Sequence, residues 1–238
     1  MFKYMDAHIH LDQYEEKHLN GILLNKKLEG VITVSNDLQS CIRNIELAKQ
    51  HRKVHTALGF HPEQPLLPER EMEEIFQYID DHHQEIVAIG EVGLPYYLEQ
   101  SGKVMNKNKY LYYLEWFIKV AAELNKPIQL HAVYDDAPIV CDLLEKHEVK
   151  KAHFHWFKGS EETIERMINN GYYVSITPDI LYKDRTKMLV KKYPLSFLMV
   201  ETDGPWEYDG PLKGRFTEPT MMEEIIKEIA IIKTLPAE

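Results

Sequence analysis

Eight short runs rich in β-branched and aromatic residues recur along the chain, at 4–9, 30–35, 55–59, 86–90, 128–131, 151–155, 172–176 and 197–200. Most lack strict apolar–polar alternation, which is the pattern of strands buried on both faces of a parallel sheet. Parallel neighbours need a crossover long enough to hold a helix, and most of the intervening segments carry helical spacing. Leu38, Cys41, Ile42, Ile45 and Ala48 share one face behind the caps Asn36 and Asp37. Leu111, Leu114, Ile118, Ala121 and Leu124 form the longest stripe, stopped ahead of Pro127. Ser160 and Asp184 are the expected caps of two later helices, and Thr217-Glu218-Pro219 opens the last. The expectation is an α/β fold, a (β/α)8 TIM barrel in which residues 1–238 form one domain. An open doubly wound sheet gives similar local signals, but no Gly-x-Gly-x-x-Gly turn follows an early strand.

Charge narrows the function classes. With 28 Lys+Arg against 38 Asp+Glu the formal charge is −10. Broad electrostatic capture of duplex nucleic acid or of an anionic membrane is therefore not expected, whereas contact with a few phosphates in one pocket is compatible. No run approaches the ~18 apolar residues needed to span a bilayer, and the opening Met1-Phe2-Lys3-Tyr4-Met5-Asp6 is not signal-like. Cys41 and Cys141 both lie in helical patterns, so a disulfide framework is not expected and a cytoplasmic location is. Nothing in the pattern selects a protein partner or self-association.

The strand ends carry the chemistry. In Asp6-Ala7-His8-Ile9-His10, residues two apart on an extended segment share a face, so His8 and His10 can converge on one cation while Ile9 packs the other way. Glu91 in Gly90-Glu91-Val92-Gly93, His131 after Leu130, His153 and His155 on one strand face, and Asp203 after the eighth run offer further ligand types. Singly, each is a commonplace polar residue. Gathered at the C-terminal mouth of a barrel, uncompensated imidazoles and carboxylates would be costly without cations. Imidazole with carboxylate suits two divalent ions drawn from Zn²⁺, Mn²⁺, Mg²⁺, Ni²⁺ or Co²⁺. Glu91 is the expected bridge, with His8, His10 and Asp203 around one ion and His131 and His155 around the other.

Six ordered pieces carry a family resemblance: Asp6-Ala7-His8-Ile9-His10-Leu11-Asp12, Gly59-Phe60-His61-Pro62, Gly90-Glu91-Val92-Gly93-Leu94, Leu130-His131-Ala132, His155-Trp156-Phe157-Lys158-Gly159 and Glu201-Thr202-Asp203-Gly204-Pro205. With them the chain resembles the TatD family of metal-dependent deoxyribonucleases from Met5 to about Ala230. The resemblance implies a TIM barrel, a divalent-metal centre and hydrolysis of DNA phosphodiester bonds, with His8, His10, Glu91, His131, His155 and Asp203 as metal residues. It also marks His61 as a residue that contacts a substrate phosphate or pins the Pro62 loop. His153 reads as packing or support behind the ligands, and Trp156 as a base-stacking residue.

The chain departs from the family at Pro95, where an aspartate is usual. It departs again at Val133, Tyr134, Asp135 and Asp136, where an arginine often follows the fifth-strand histidine. Such an arginine is a natural phosphate clamp; Lys158 and Arg215 are the candidates to replace its charge. Only Pro236-Ala237-Glu238 follow the last helical pattern, so a shortened outer ring is expected, its apolar flank covered by the existing termini, by a partner or left as a groove. The expected reaction uses metal-activated water, with Asp203 orienting it and receiving its proton and Glu91 fixing the metal spacing. DNA ends or single strands are the expected substrates. The alternatives are ester, lactone, amide or aminoacyl-tRNA hydrolysis, phosphomonoester hydrolysis, and a non-catalytic metal-containing binding protein.

Overall fold

Ile9, Val31, Ile89, Leu130, Phe154 and Val174 have no exposed surface, as strands covered on both faces require. The computed structural model describes residues 2–103 and 106–235. Its strands are β1 (Tyr4–Ile9), β2 (Leu28–Thr33), β3 (Val54–Leu58), β4 (Ala88–Gly93), β5 (Ile128–His131), β6 (Ala152–Phe154), β7 (Tyr173–Ile176) and β8 (Leu198–Val200). They lie side by side in chain order, every paired neighbour parallel. Between β8 and β1 the seam is drawn together at the mouth. The Asp203 N–H donates to the His8 carbonyl at 3.0 Å, and the His10 N–H to the Gly204 carbonyl at 2.8 Å. Asp6, buried in β1, adds to it by accepting from the Thr202 N–H and hydroxyl. The result is a (β/α)8 TIM barrel whose C-terminal strand ends meet in one place.

The helices are α1 (Glu16–Leu24), α2 (Leu38–Gln50), α3 (Glu69–Asp81), α4 (Tyr96–Gln100), α5 (Lys107–Glu123), α6 (Asp136–Lys146), α7 (Glu161–Asn170), α8 (Asp184–Lys192) and α9 (Met222–Ile232). Asp37 and Ser40 form a reciprocal capping box that starts α2 and turns Cys41 and Ile45 onto the barrel. Ser160 caps α7 by accepting from the Thr163 N–H, and Gly171, at φ 72°, ends it. On α5, Leu114, Phe117, Ile118 and Ala121 are buried along one face. Each such large side chain contributes on the order of 1.5–3 kcal/mol, which holds helices that are marginal alone.

Two local features differ from the sequence expectation. Asp184 lies inside α8, where Lys183 takes the cap position. The spacing of Leu19, Ile22 and Leu23 is too brief to announce α1, yet it covers the β1–β2 crossover. The outer ring does end on a short helix, and the terminus itself covers the flank: α9, 11 residues long, packs on α8 and β8 and buries Ile225 and Ile229. Lys27, in the β1–β2 connection, ties to Glu223 of α9 at 2.8 Å. Residues 236–238 lie outside the described residues. Among the described residues, no helix is long and apolar enough to cross a membrane.

Candidate metal centre

Glu91 stands in β4, three residues beyond where the apolar run at 86–90 suggests the strand is centred, and it is completely buried at the floor of the mouth. Two glycines make room for it. Gly90 takes φ 155°, and a Cβ there would sit 2.7 Å from that of Gln129; a Cβ on Gly93 would collide with the His131 carbonyl. The two carboxylate oxygens of Glu91 face different partners. Oε2 looks toward His8 Nε2 at 3.2 Å and His10 Nε2 at 3.5 Å. Oε1 looks toward His155 Nε2 at 2.7 Å, His131 Nδ1 at 3.1 Å and His61 Nε2 at 3.5 Å. Asp203 Oδ1 completes the first side, 3.7 Å from His8 Nε2 and 3.6 Å from His10 Nε2.

The strands explain these directions. His8 and His10 share a face of β1 while Ile9 packs in the core; Gln129 and His131 do the same on β5. His155 follows β6, its N–H still donating to the Leu130 carbonyl. Its ring stacks on that of His8 at 3.9 Å with an interplanar angle of 4°. Tyr134, Trp156 and Asp203 adopt left-handed backbone, at φ 51°, 38° and 51°, so three strained residues border this one cavity.

The polar atoms define what is missing. Gln129 donates its amide to the Ala7 carbonyl, which turns its oxygen onto His8 Nδ1 at 2.9 Å. A proton on Nδ1 leaves Nε2 with a free lone pair. That Nε2 and Glu91 Oε2 are both buried without a hydrogen-bond partner. Such orphans cost about 1–3 kcal/mol each unless something else engages them. Ligand atoms of His8, His10 and Glu91 lie within 4.8 Å of one another, as do those of His61, Glu91 and His131. Borderline nitrogen and hard oxygen donors on both sides of one carboxylate fit a pair of divalent cations.

Protonation in the bare cluster follows from burial and neighbours. Burial pushes His10 down to about 3, against the pull of Glu91. Burial also disfavours charge on Glu91, but His155, His61, His8 and His131 overcome this and hold it well below the usual carboxylate range. His155 is held well above the usual imidazole value because Glu91 and Glu201 outweigh its burial. His131 is raised by Glu63 and Glu91 in the same way. Asp203 is lifted to about 6 by burial, which exceeds the pull of His155 and His8.

Further groups surround the cluster that the strand pattern did not single out. Glu63, on the loop after β3, accepts from the Tyr97 and Leu98 N–H groups and reaches His131 Nε2 at 3.3 Å. Glu201 lies behind His155, 3.7 Å from Nδ1, and accepts from the Trp156 N–H and the Ser175 hydroxyl. Glu201 was visible within Glu201-Thr202-Asp203; only strand parity, shared with Asp203, could have marked it. His153 is buried against Ser175 at 2.6 Å and does not line the cavity. Trp156, Lys158 and His61 do line it, whereas Arg215 pairs with Glu224 on the exterior. The cavity measures about 1140 Å³.

A parallel eight-stranded barrel with clustered imidazoles and carboxylates at its strand ends defines a metal-dependent hydrolase. The family described as TatD related DNase matches residues 5–238, and the chain belongs to the TatD family. A Haemophilus influenzae protein, described as an uncharacterized metal-dependent hydrolase, is 37% identical over 97% of this chain and 92% of its own length. The human deoxyribonuclease TATDN3 is 27% identical over 98% of this chain and 89% of its own. The crystal structure of YJJV, a TatD homologue from Escherichia coli K12, shares the fold with a TM-score of 0.85 at 21% identity. That match covers 98% of this chain and 92% of the other.

Proposed function

We propose that the protein is a divalent-metal-dependent deoxyribonuclease acting at DNA ends or in single-stranded DNA. The observation that carries this reading is the split of Glu91, whose two oxygens face two separate sets of imidazoles at the base of one cavity. In it His8, His10, Asp203 and Glu91 would hold one cation, and His131, His155 and Glu91 the other. Bound divalent cations supply an acidified water and neutralise charge developing on phosphoryl oxygens. Asp203 is placed to orient that water and take up its proton, its carboxylate standing beside His8 and His10 at the mouth. Glu201 and Gln129 fix the planes of His155 and His8 from behind.

The cavity is larger than the roughly 300–1,000 Å³ typical of single small-ligand sites, leaving room for more than one nucleotide. Trp206, 58% exposed, and Tyr97 offer faces for base stacking. The net charge of −10 favours an end or short strand, which needs few phosphate contacts, over a long duplex. The name of the human relative supports the choice of DNA. Metal-reconstituted protein is expected to release nucleotides from single-stranded DNA when compared on duplex DNA, RNA, aryl phosphates and carboxylic esters. Turnover of esters without any phosphodiester cleavage would reject DNA as substrate and leave a hydrolase.

Metal uptake is expected to expel protons. In the bare cluster His155 and His131 have raised proton affinities, so they hold protons that a cation must displace. Cation affinity therefore rises with pH across the neutral range and falls as the solution is acidified. Calorimetric titration in buffers of different ionisation heat should show release of on the order of one to two protons at pH 7, fewer in His155→Ala. A heat independent of buffer would contradict this.

A further inference from the structure

Among the described residues Lys158 is the one buried lysine or arginine, 6% exposed, and its ammonium lines the cavity. Its contacts are the Tyr97 hydroxyl at 2.7 Å and the face of Trp156, 3.5 Å below. Among the described residues no carboxylate forms an ion pair with it. Burying an ammonium without an anion is costly, and a ring face offsets only part of that cost. Arg185, from the start of α8, reaches the same wall. Its guanidinium donates to the Tyr134 hydroxyl at 3.1 Å and to Asp179 at 3.5 Å, and Asp179 also accepts from the Trp156 indole at 3.1 Å. Burial first, and Arg185 second, bring the Lys158 ammonium down to about 8, against the weaker pull of Asp179, Asp203 and Glu201. An anion placed between them relieves both the desolvation and the repulsion.

This wall lies opposite no arginine of its own from β5, since Val133, Tyr134, Asp135 and Asp136 follow His131. The ammonium comes from the loop after β6 and the guanidinium from beyond β7, and each donates to a tyrosine hydroxyl, Tyr97 and Tyr134 respectively. Resting on the nuclease reading, we infer that Lys158 and Arg185 form a clamp for a second phosphate, one nucleotide removed from the scissile bond, and so make the enzyme select substrates carrying that group. The second phosphate is either a terminal monoester or a neighbouring diester; both present the same anionic oxygens.

The test compares the holoenzyme on four thymidine substrates. The dinucleotide dTpdT carries only the scissile phosphate, pdTpdT and dTpdTp add a terminal monoester, and dTpdTpdT adds a second diester. At least one phosphate-bearing substrate is expected to be preferred over dTpdT by about ten- to hundredfold in kcat/KM, mainly through KM. The preferred arm identifies the source of the anion. Lys158→Met keeps the packing on Trp156 and should shrink the preference to about twofold or less, with Lys158→Arg restoring most of it. Arg185→Met, at an exposed position that does not threaten folding, should shrink it in the same direction. No preference in the wild type, or an undiminished one in Lys158→Met, overturns the clamp. If the holoenzyme binds pdTp but cleaves none of the four, the DNA reading fails separately. The clamp is then judged by calorimetric titration of pdTp: weaker binding in Lys158→Met supports it, equal binding overturns it.

Discussion

Glu91→Ala is expected to abolish hydrolysis, lowering kcat/KM by at least about 10³-fold, and to release both cations rather than one. The reason is its position. One oxygen faces His8 and His10, the other His131 and His155, so its loss removes a partner from both sets at once. The barrel itself should persist, because Ile89 and Val92, which flank Glu91 along β4, are locked in the core independently of it. Metal analysis per folded chain separates this outcome from unfolding. His8→Ala provides the contrast: it removes a ligand atom from the Oε2 side alone and should leave the other cation in place. Full metal content in Glu91→Ala would remove that residue from the centre of the site.

The second large effect is expected for Asp203→Asn. The amide keeps the shape of the carboxylate and one coordinating oxygen, but it cannot take up a proton. The rate should fall by about 10²- to 10⁴-fold while metal content is retained. The pH profile carries a further signature. Burial lifts Asp203 to about 6, so its basic form accumulates, and the rate climbs, as pH rises through that region; bound cations draw the limb lower. In Asp203→Asn that acidic limb should vanish. A variant with full rate and the same limb would assign proton transfer to another group.

The barrel was legible because most strands are buried on both faces along much of their length, which leaves short apolar runs that a surface sheet would not show. The clustering of the candidate site was legible for a related reason: two-residue periodicity sends His8 and His10 one way and Ile9 the other. Residues delivered by loops or by long side chains were not. Glu63 reaches His131 only because the segment after β3 folds back over the mouth, anchored on two backbone N–H groups beside α4. Nothing in the sequence separates Arg185 from the other charges of its short helix, because its reach to Tyr134 is set by tertiary packing. Arg215 was read as a possible phosphate contact from its place in a long loop after the last strand, yet the loop turns it outward onto Glu224. Helix α1 escaped notice because three buried residues, Leu19, Ile22 and Leu23, are too few to establish a period.

The most direct measurement is anomalous diffraction from crystals of the full chain loaded with Mn²⁺ or Zn²⁺. Two peaks are predicted, one beside each carboxylate oxygen of Glu91, the first between His8 and His10 and the second between His131 and His155. A single peak, or density removed from Glu91, would contradict a carboxylate shared by two cations.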